Sequence, residues 1–324
     1  MKHLFWSAAA LALIACGGEQ NAADSAPSSE AATEAPAEET AAPEQEVEQE
    51  EAALSAEERL DAVLAAQDDD AKARYQYRHP KETLMFYGID PGMTVVDTLP
   101  GSVWYAGILS EYLGPEGRVI GANFSLDQRK AMGGRYASEE YQTENANWPE
   151  TWAAERNADR EDGEAPFDAF FYGALPAEME GSADVVLMVR AAHHFNRTEE
   201  AGGFFTEAVQ NAYDVLKPGG VLGVVQHRAP EGNSDEWAVG DNGYIKQSHV
   251  IDFVTDKGFE FVESSEINAN PDDQPTEEDV VWRLPPSLGT TRDHETDEAQ
   301  AEQRVQYQAI GESDRMTLKF RKPE

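Results

Sequence analysis

The chain has one cysteine, Cys16, and only 25 lysines and arginines against 62 aspartates and glutamates, a formal net charge of −37. A lone thiol excludes an intrachain disulfide. So few cations argue against nucleic acid, or an anionic membrane surface, as a partner held by general electrostatics, because each has the protein's own sign. The balance suits a soluble surface in a salty medium or attraction to cationic small molecules, and composition does not separate the two. The seven histidines show no HxH or HExxH spacing, so no metal site is expected; His79, His193 and His227 are the imidazoles that a metal would have to gather. There is no internal repeat and no oligomer signal, and a monomer is expected.

Long apolar runs are also scarce. The run "LFWSAAALALIA" after Lys2 is too short to span a bilayer and has the charged and apolar regions of a secretory signal. It ends in "LIAC", which puts Leu13, Ile14 and Ala15 before Cys16 and matches the bacterial lipobox, in which the cysteine is acylated and becomes the first residue after cleavage. The expectation is a signal peptide over 1–15, a lipid anchor on Cys16 and a place in the bacterial cell envelope. Gly17 rather than Asp at the next position points to the outer membrane, facing the periplasm. Residues 16–53 contain no Lys or Arg and are dominated by Ala, Glu, Pro, Ser, Thr and Gln. Such a segment has too little apolar surface to offset its ordering entropy, so a disordered acidic tether is expected.

Residues 54–324 have the periodicity of a folded domain. Ser55 and Glu58 form a capping box before the amphipathic "ERLDAVLAAQ", and a second helix runs through Pro80 to Gly88. The strand "TVVDTL" follows the turn "DPGM", and "PGSVWY" leads from it into a helix ending near Leu113. "RVIGANF", "FDAFFYG", "ADVVLMVRAAHHF" and "VLGVVQHRA" supply four more strands, with the amphipathic "EEAGGFFTEAVQNAYDVLKPGG" between the last two. Strands that are apolar on both faces and alternate with helices predict a parallel sheet covered on both sides. Near the end, "FEFVESSE" and "RMTLKFRKP" alternate apolar and polar residues and predict an antiparallel pair at the sheet edge. The polar stretch 142–166 reads as an insertion that is partly helical or loose, and 270–312 as a second insertion.

The order of these segments resembles the class I S-adenosylmethionine-dependent methyltransferases. The likeness covers roughly residues 74–323, through five parallel strands, the Lys-Pro-Gly-Gly turn before the fifth and the terminal hairpin. More narrowly, "PGMTVV", the "PGxxWY" turn, "RAAHHF", "HRAPEG", "SSEINANP" and "IGESDRMTLKF" resemble a bacterial family of predicted methyltransferases. The resemblance implies a Rossmann-like, doubly wound, mostly parallel seven-stranded sheet with an antiparallel C-terminal hairpin, S-adenosylmethionine as cofactor and a small-molecule acceptor.

The resemblance also implies that Asp97, Gly101, Ser102, Tyr105 and Asn123 bind the cofactor. Asp97 matches the acid that holds its ammonium, and Gly101 allows close backbone approach before a helix N-terminus. Two positions depart from the general pattern. Ser102 and Val103 stand where glycines are usual, and a positive φ at β-branched Val103 would be strained. Asn123 replaces the acid that takes the ribose hydroxyls. The turn is therefore either a cofactor site or an inherited shape that packs Asp97, Gly101 and Trp104.

Arg190 and His193, after the fourth strand, and His227 and Arg228, ending the fifth, are the candidate catalytic group. Neighbouring strand ends should bring them together, with His as general base and Arg holding a carboxylate or phosphate. Arg78 and His79 would close over the crevice, Tyr244 and Lys246 would reach its rim, and Trp104, Tyr105, Phe171 and Tyr172 either line an apolar pocket or pack in the core. Because S-adenosylmethionine is made in the cytoplasm, a domain across the inner membrane needs imported cofactor or a different ligand. The rival reading is accordingly a non-catalytic lipoprotein binding a small anion through Arg190 and Arg228.

Overall fold

The computed structural model describes residues 54–324; the proposed signal peptide, Cys16 and the tether lie outside the described residues. The strands are β1 (Thr94–Thr98), β2 (Arg118–Asn123), β3 (Phe167–Phe171), β4 (Ala183–Val189), β5 (Leu216–Ala229), β6 (Ile245–Lys246), β7 (Glu260–Ser265) and β8 (Arg315–Arg321). They form one sheet in the order β3-β2-β1-β4-β5-β8-β7, with two-residue β6 paired to the end of β5. β1 to β5 are mutually parallel, while β8 runs antiparallel to both β5 and β7. This is the expected doubly wound, mostly parallel sheet with an antiparallel C-terminal pair, and β6 is an eighth, minor strand.

Each face of the sheet has its own apolar layer. On one side Val95, Val119, Val185 and Leu187 pack under the helices Ala56–Ala66, Pro80–Tyr87 and Trp104–Leu113. On the other, Val96, Ile120, Val186 and Leu222 pack under Phe204–Val215 and Gln247–Asp256. Alternate residues of one strand thus serve opposite layers, the consequence of period-2 geometry in a sheet covered on both faces. The Ser55–Glu58 capping box forms as expected, each side chain bonded to the other's backbone N–H.

The polar stretch 142–166 contains the helix Trp148–Asp159, which leads into β3 as part of the crossover from β2. Trp152 lies flat against Gly121 of β2, where a Cβ would sit 2.7 Å from the indole; only glycine leaves room for the ring. The long amphipathic helix before β5 is broken in two, Glu199–Gly202 and Phe204–Val215, by Gly203 at φ 71°. The Glu199 carboxylate then caps the second helix through the Phe205 and Thr206 N–H groups at 2.7 and 3.0 Å.

Segment 270–312 does not stand apart from the fold. Asp273 forms a buried ion pair with Arg283 at 2.7 Å, and the Tyr244 hydroxyl bonds to both. This closed set ties residues 273–283 onto the loop after β5, so the residues that follow, 284–287, stand over the C-terminal ends of the parallel strands.

Candidate functional site

The site is built from the turns that follow β1, β2, β4 and β5. After β1 the backbone alternates in hand: Leu99, Gly101 and Val103 have φ of 56°, 49° and 64°. Val103 therefore takes the strained conformation that its shape disfavours, at a cost of about 1–2 kcal/mol, and the turn keeps the tight form that glycines usually supply. Val103 is the N-cap of the helix Trp104–Leu113 and gives it no side-chain cap. Asp97 ends up buried beneath this helix start, accepting a hydrogen bond from the Ala106 backbone. Burial pushes its carboxyl up to about 7, the Ala106 bond opposing only part of the shift. Among the described residues no cation is paired with it.

A cavity of about 80 Å³ lies against this turn, lined by Asp97, Thr98, Gly101, Ser102, Tyr105 and Arg190. Gly101 and Ser102 are exposed at its mouth and Tyr105 is buried at its wall. Arg78 covers it, its guanidinium 4.9 Å from the Trp104 ring centroid. At the next strand end, Asn123 Oδ1 accepts from the Phe124 N–H at 2.9 Å and from Arg129 at 3.0 Å. The amide oxygen is thereby taken, and the NH2 is the group left to face a ligand. Beyond the ends of β2 and β3 a cleft of about 590 Å³ opens between residues 125–130, 171–174 and 202–207. Small-molecule sites are typically about 300–1,000 Å³. The cleft is of that size, whereas the turn cavity is well below it.

The ends of β4 and β5 make the other half. Arg190 follows β4 with φ 55°, another left-handed residue without glycine's freedom, its backbone N–H bonded to Val225 at 2.6 Å. Its guanidinium has no hydrogen-bond or ion-pair partner among the described residues. Burial, with Arg78 and Arg315 nearby, lowers it to about 9. His227 pairs directly across the sheet with Arg315, the first residue of β8, so the two side chains share a face. His227 Nδ1 lies 2.5 Å from Ser313 Oγ. With the proton on Nδ1, Nε2 presents a lone pair to a cavity of about 120 Å³ that Arg190, Arg315 and Ser313 also line. Burial, then His193 and Arg315, hold the His227 pKa well below the usual histidine range, so the ring is neutral at neutral pH.

His193 is fixed by Gln226. The Gln226 amide donates to the Gly243 carbonyl at 2.8 Å, which turns its oxygen toward the His193 N–H and Nδ1, at 3.3 and 3.2 Å. Nδ1 must then carry the proton. Nε2 is left as a buried acceptor without a partner. Burial and His194 keep this ring neutral as well. The two imidazoles are 5.4 Å apart, centre to centre, and Gly240 presses on the His193 carbonyl so closely that a Cβ would lie 2.6 Å from it.

Arg228 does not join them. Successive strand residues point to opposite faces, and Arg228 is held by Asp314 at 2.8 Å and Glu266 at 2.7 Å, which raise its pKa. The expectation that it reaches the crevice is corrected on that ground. His79 faces a different, polar hollow beside Asn268 and Asn270; Lys246 pairs with Asp235, and Tyr244 is spent on Asp273 and Arg283. His194 packs on Phe124, and Phe171 and Tyr172 wall the larger cleft. No group of three or more His, Cys, Asp or Glu among the described residues is arranged to hold a metal ion.

Sequence reasoning missed the centre of this half. Glu312 is buried and accepts from Arg74 at 2.6 Å, from Arg78 at 3.3 Å and from Arg315. Burial alone would raise its carboxyl, but Arg315, Arg78 and Arg74 outweigh that and hold it down at about 2. Four guanidinium groups, with Arg190, crowd one carboxylate. The only sequence signal was "ESDR", an acid and a base three residues apart before a strand.

No protein-family model and no curated protein matches the chain. Among solved structures it is similar to a chain of the Haloferax volcanii complex between the Trm112 methyltransferase activator and its proposed methyltransferase (19% identity, covering 82% of this chain and 98% of that one, TM-score 0.43). It is similar too to the arsenic(III) S-adenosylmethionine methyltransferase of Chlamydomonas reinhardtii (16%, 82% and 73%, TM-score 0.42) and to an S-adenosylmethionine-dependent methyltransferase of Aquifex aeolicus (16%, 64% and 93%, TM-score 0.38).

Proposed function

We propose that residues 54–324 are an S-adenosylmethionine-dependent methyltransferase domain acting on a small molecule, carried as a monomer on a lipid anchor at Cys16 in the bacterial envelope. The observation that carries the reading is Asp97: a buried carboxyl without a cation, raised to about 7, beneath an uncapped helix start. A ligand ammonium is the partner that would return it to its charged form. The residues fit the cofactor in that respect and in three more. The helix start and the Gly101 backbone suit the methionine carboxylate. The Asn123 NH2 suits a ribose oxygen, and the cleft beyond β3 has room for a base. Trp104 Nε1, buried without a partner, is a further donor beside the turn.

The cofactor, when bound, supplies an electrophilic methyl group. The chain's own contribution is alignment, from a turn and strand ends fixed by the sheet, and a neutral His227 whose Nε2 takes the acceptor's proton. Ser313 is a positioning residue that holds His227 Nδ1.

One observation favours a second reading, ligand binding without turnover: the turn cavity holds only about 80 Å³ while Arg78 covers it. Calorimetry of the full chain with S-adenosylhomocysteine tests the first reading, and turnover of S-adenosylmethionine separates it from the second. Binding in the micromolar range is expected, and no heat at millimolar ligand sinks the methyltransferase reading. His227→Ala should lower turnover by about 100-fold or more and leave that affinity unchanged; equal loss of both removes His227 as base. Membrane association that survives Cys16→Ser removes the anchor.

A further inference from the structure

We propose that the cavity between β4, β5 and the segment 281–287 is the acceptor subsite and takes a small carboxylic acid whose otherwise apolar body carries the hydroxyl or amine that gives its proton to His227 and receives the methyl group. The inference rests on the methyltransferase reading above. Arg190 lines both this cavity and the one against the β1 turn, so a ligand that it holds lies between His227 and the cofactor side.

Its guanidinium is unpaired, and Arg315, although bonded to Glu312 and to the Tyr77 carbonyl at 3.0 Å, has a buried Nε with no partner. The unpaired Arg190 guanidinium matches the planar fork of a carboxylate, and the Arg315 charge lines the same cavity. The protein as a whole is strongly acidic, so four guanidinium groups around a single buried glutamate are the reverse of its general surface.

The opposite wall is apolar. Trp282, Leu284, Pro285 and Pro286 line it, and the Trp282 ring centre lies 6.2 Å from that of His193. The volume, about 120 Å³, is roughly that of four waters in the liquid, enough for a carboxylate head and a short or flat body. Glu312 stands at the same wall and disfavours a dianion, which selects a carboxylate over a phosphate.

The test titrates the full chain with benzoate, its neutral isostere benzamide and inorganic phosphate, by calorimetry and by tryptophan fluorescence. Benzoate should bind at least about tenfold more tightly than benzamide, the scale of charge-assisted hydrogen bonds. Arg190→Gln should erase the preference and Arg190→Lys should keep part of it, with thermal melts showing both variants folded. Equal affinity for benzoate and benzamide, no benzoate binding at millimolar concentration, or phosphate binding in its place overturns the proposal. S-adenosylhomocysteine is titrated alongside. If it binds and benzoate does not, the acceptor subsite fails and the methyltransferase reading stands. If benzoate alone binds, the methyltransferase reading fails and the acceptor role falls with it.

Discussion

The two ends of the crevice each bury a carboxyl group, and the two are shifted in opposite directions. Asp97, under the helix start after β1, has no cation and is raised to about 7; Glu312, among Arg74, Arg78 and Arg315, is held at about 2. Both are almost wholly shielded from water, so burial does not distinguish them. Neighbours do. The carboxyl without an ion-pair partner is suited to a ligand that brings a cation, and the guanidinium groups in excess around Glu312 to a ligand that brings a negative charge. Neutral histidines stand on the anion side, where a proton has to be taken up.

The largest test of this contrast is Glu312→Gln. Removing the carboxylate leaves three buried or half-buried guanidinium groups uncompensated, and a loss of about 3–5 kcal/mol is expected in urea denaturation at pH 7. A loss under about 1 kcal/mol would show that the arginines reach solvent or other partners. The Glu312 pKa is depressed on folding, so its contribution is full above the unfolded value of about 4.5 and disappears as pH falls through about 2.

Asp97→Asn should act in the opposite direction. The Asp97 pKa is raised on folding, so the native state holds the proton longer than the unfolded chain, and stability falls as pH rises from about 4 to about 7. The amide removes that slope, with a gain on the order of 3 kcal/mol at pH 8. A variant no more stable than the parent at pH 8 would mean that Asp97 is already paired.

The same group gives a smaller effect on binding. An ammonium ligand needs the ionised carboxylate, so S-adenosylhomocysteine should bind about tenfold more tightly at pH 8 than at pH 6, and Asp97→Asn should flatten the profile. A flat profile in the parent would detach Asp97 from the ligand. Val103→Gly is the least of the changes: relief of the left-handed backbone should raise stability by about 1 kcal/mol or less, read as a small rise in melting temperature.

Much of the scaffold could be read from local pattern. Strands buried on both faces appear as continuous apolar runs, and Ser55 with Glu58 marks a helix start within four residues. The strain at Val103 was legible too, since a turn leaving β1 toward a helix needs left-handed residues wherever the side chains leave room. His227 and Arg228 illustrate a signal present but unused. Adjacent strand residues face opposite ways, so only one of the pair can enter the crevice. Trp152 was hidden by the polar residues around it, because a single apolar anchor in an acidic helix leaves no strong period.

The sequence by itself determined the doubly wound sheet and the positions of Asp97, Asn123, Arg190, His193 and His227 at or just after the ends of β1, β2, β4 and β5. These follow from interactions within a few residues or from strand periodicity. Only the tertiary structure decided the charge of each end. Arg74 and Glu312 are 238 residues apart, and Arg228 and Asp314 are 86 apart. Which arginine is neutralised and which is left open depends on pairings made only when β8 enters beside β5, and no local pattern encodes them.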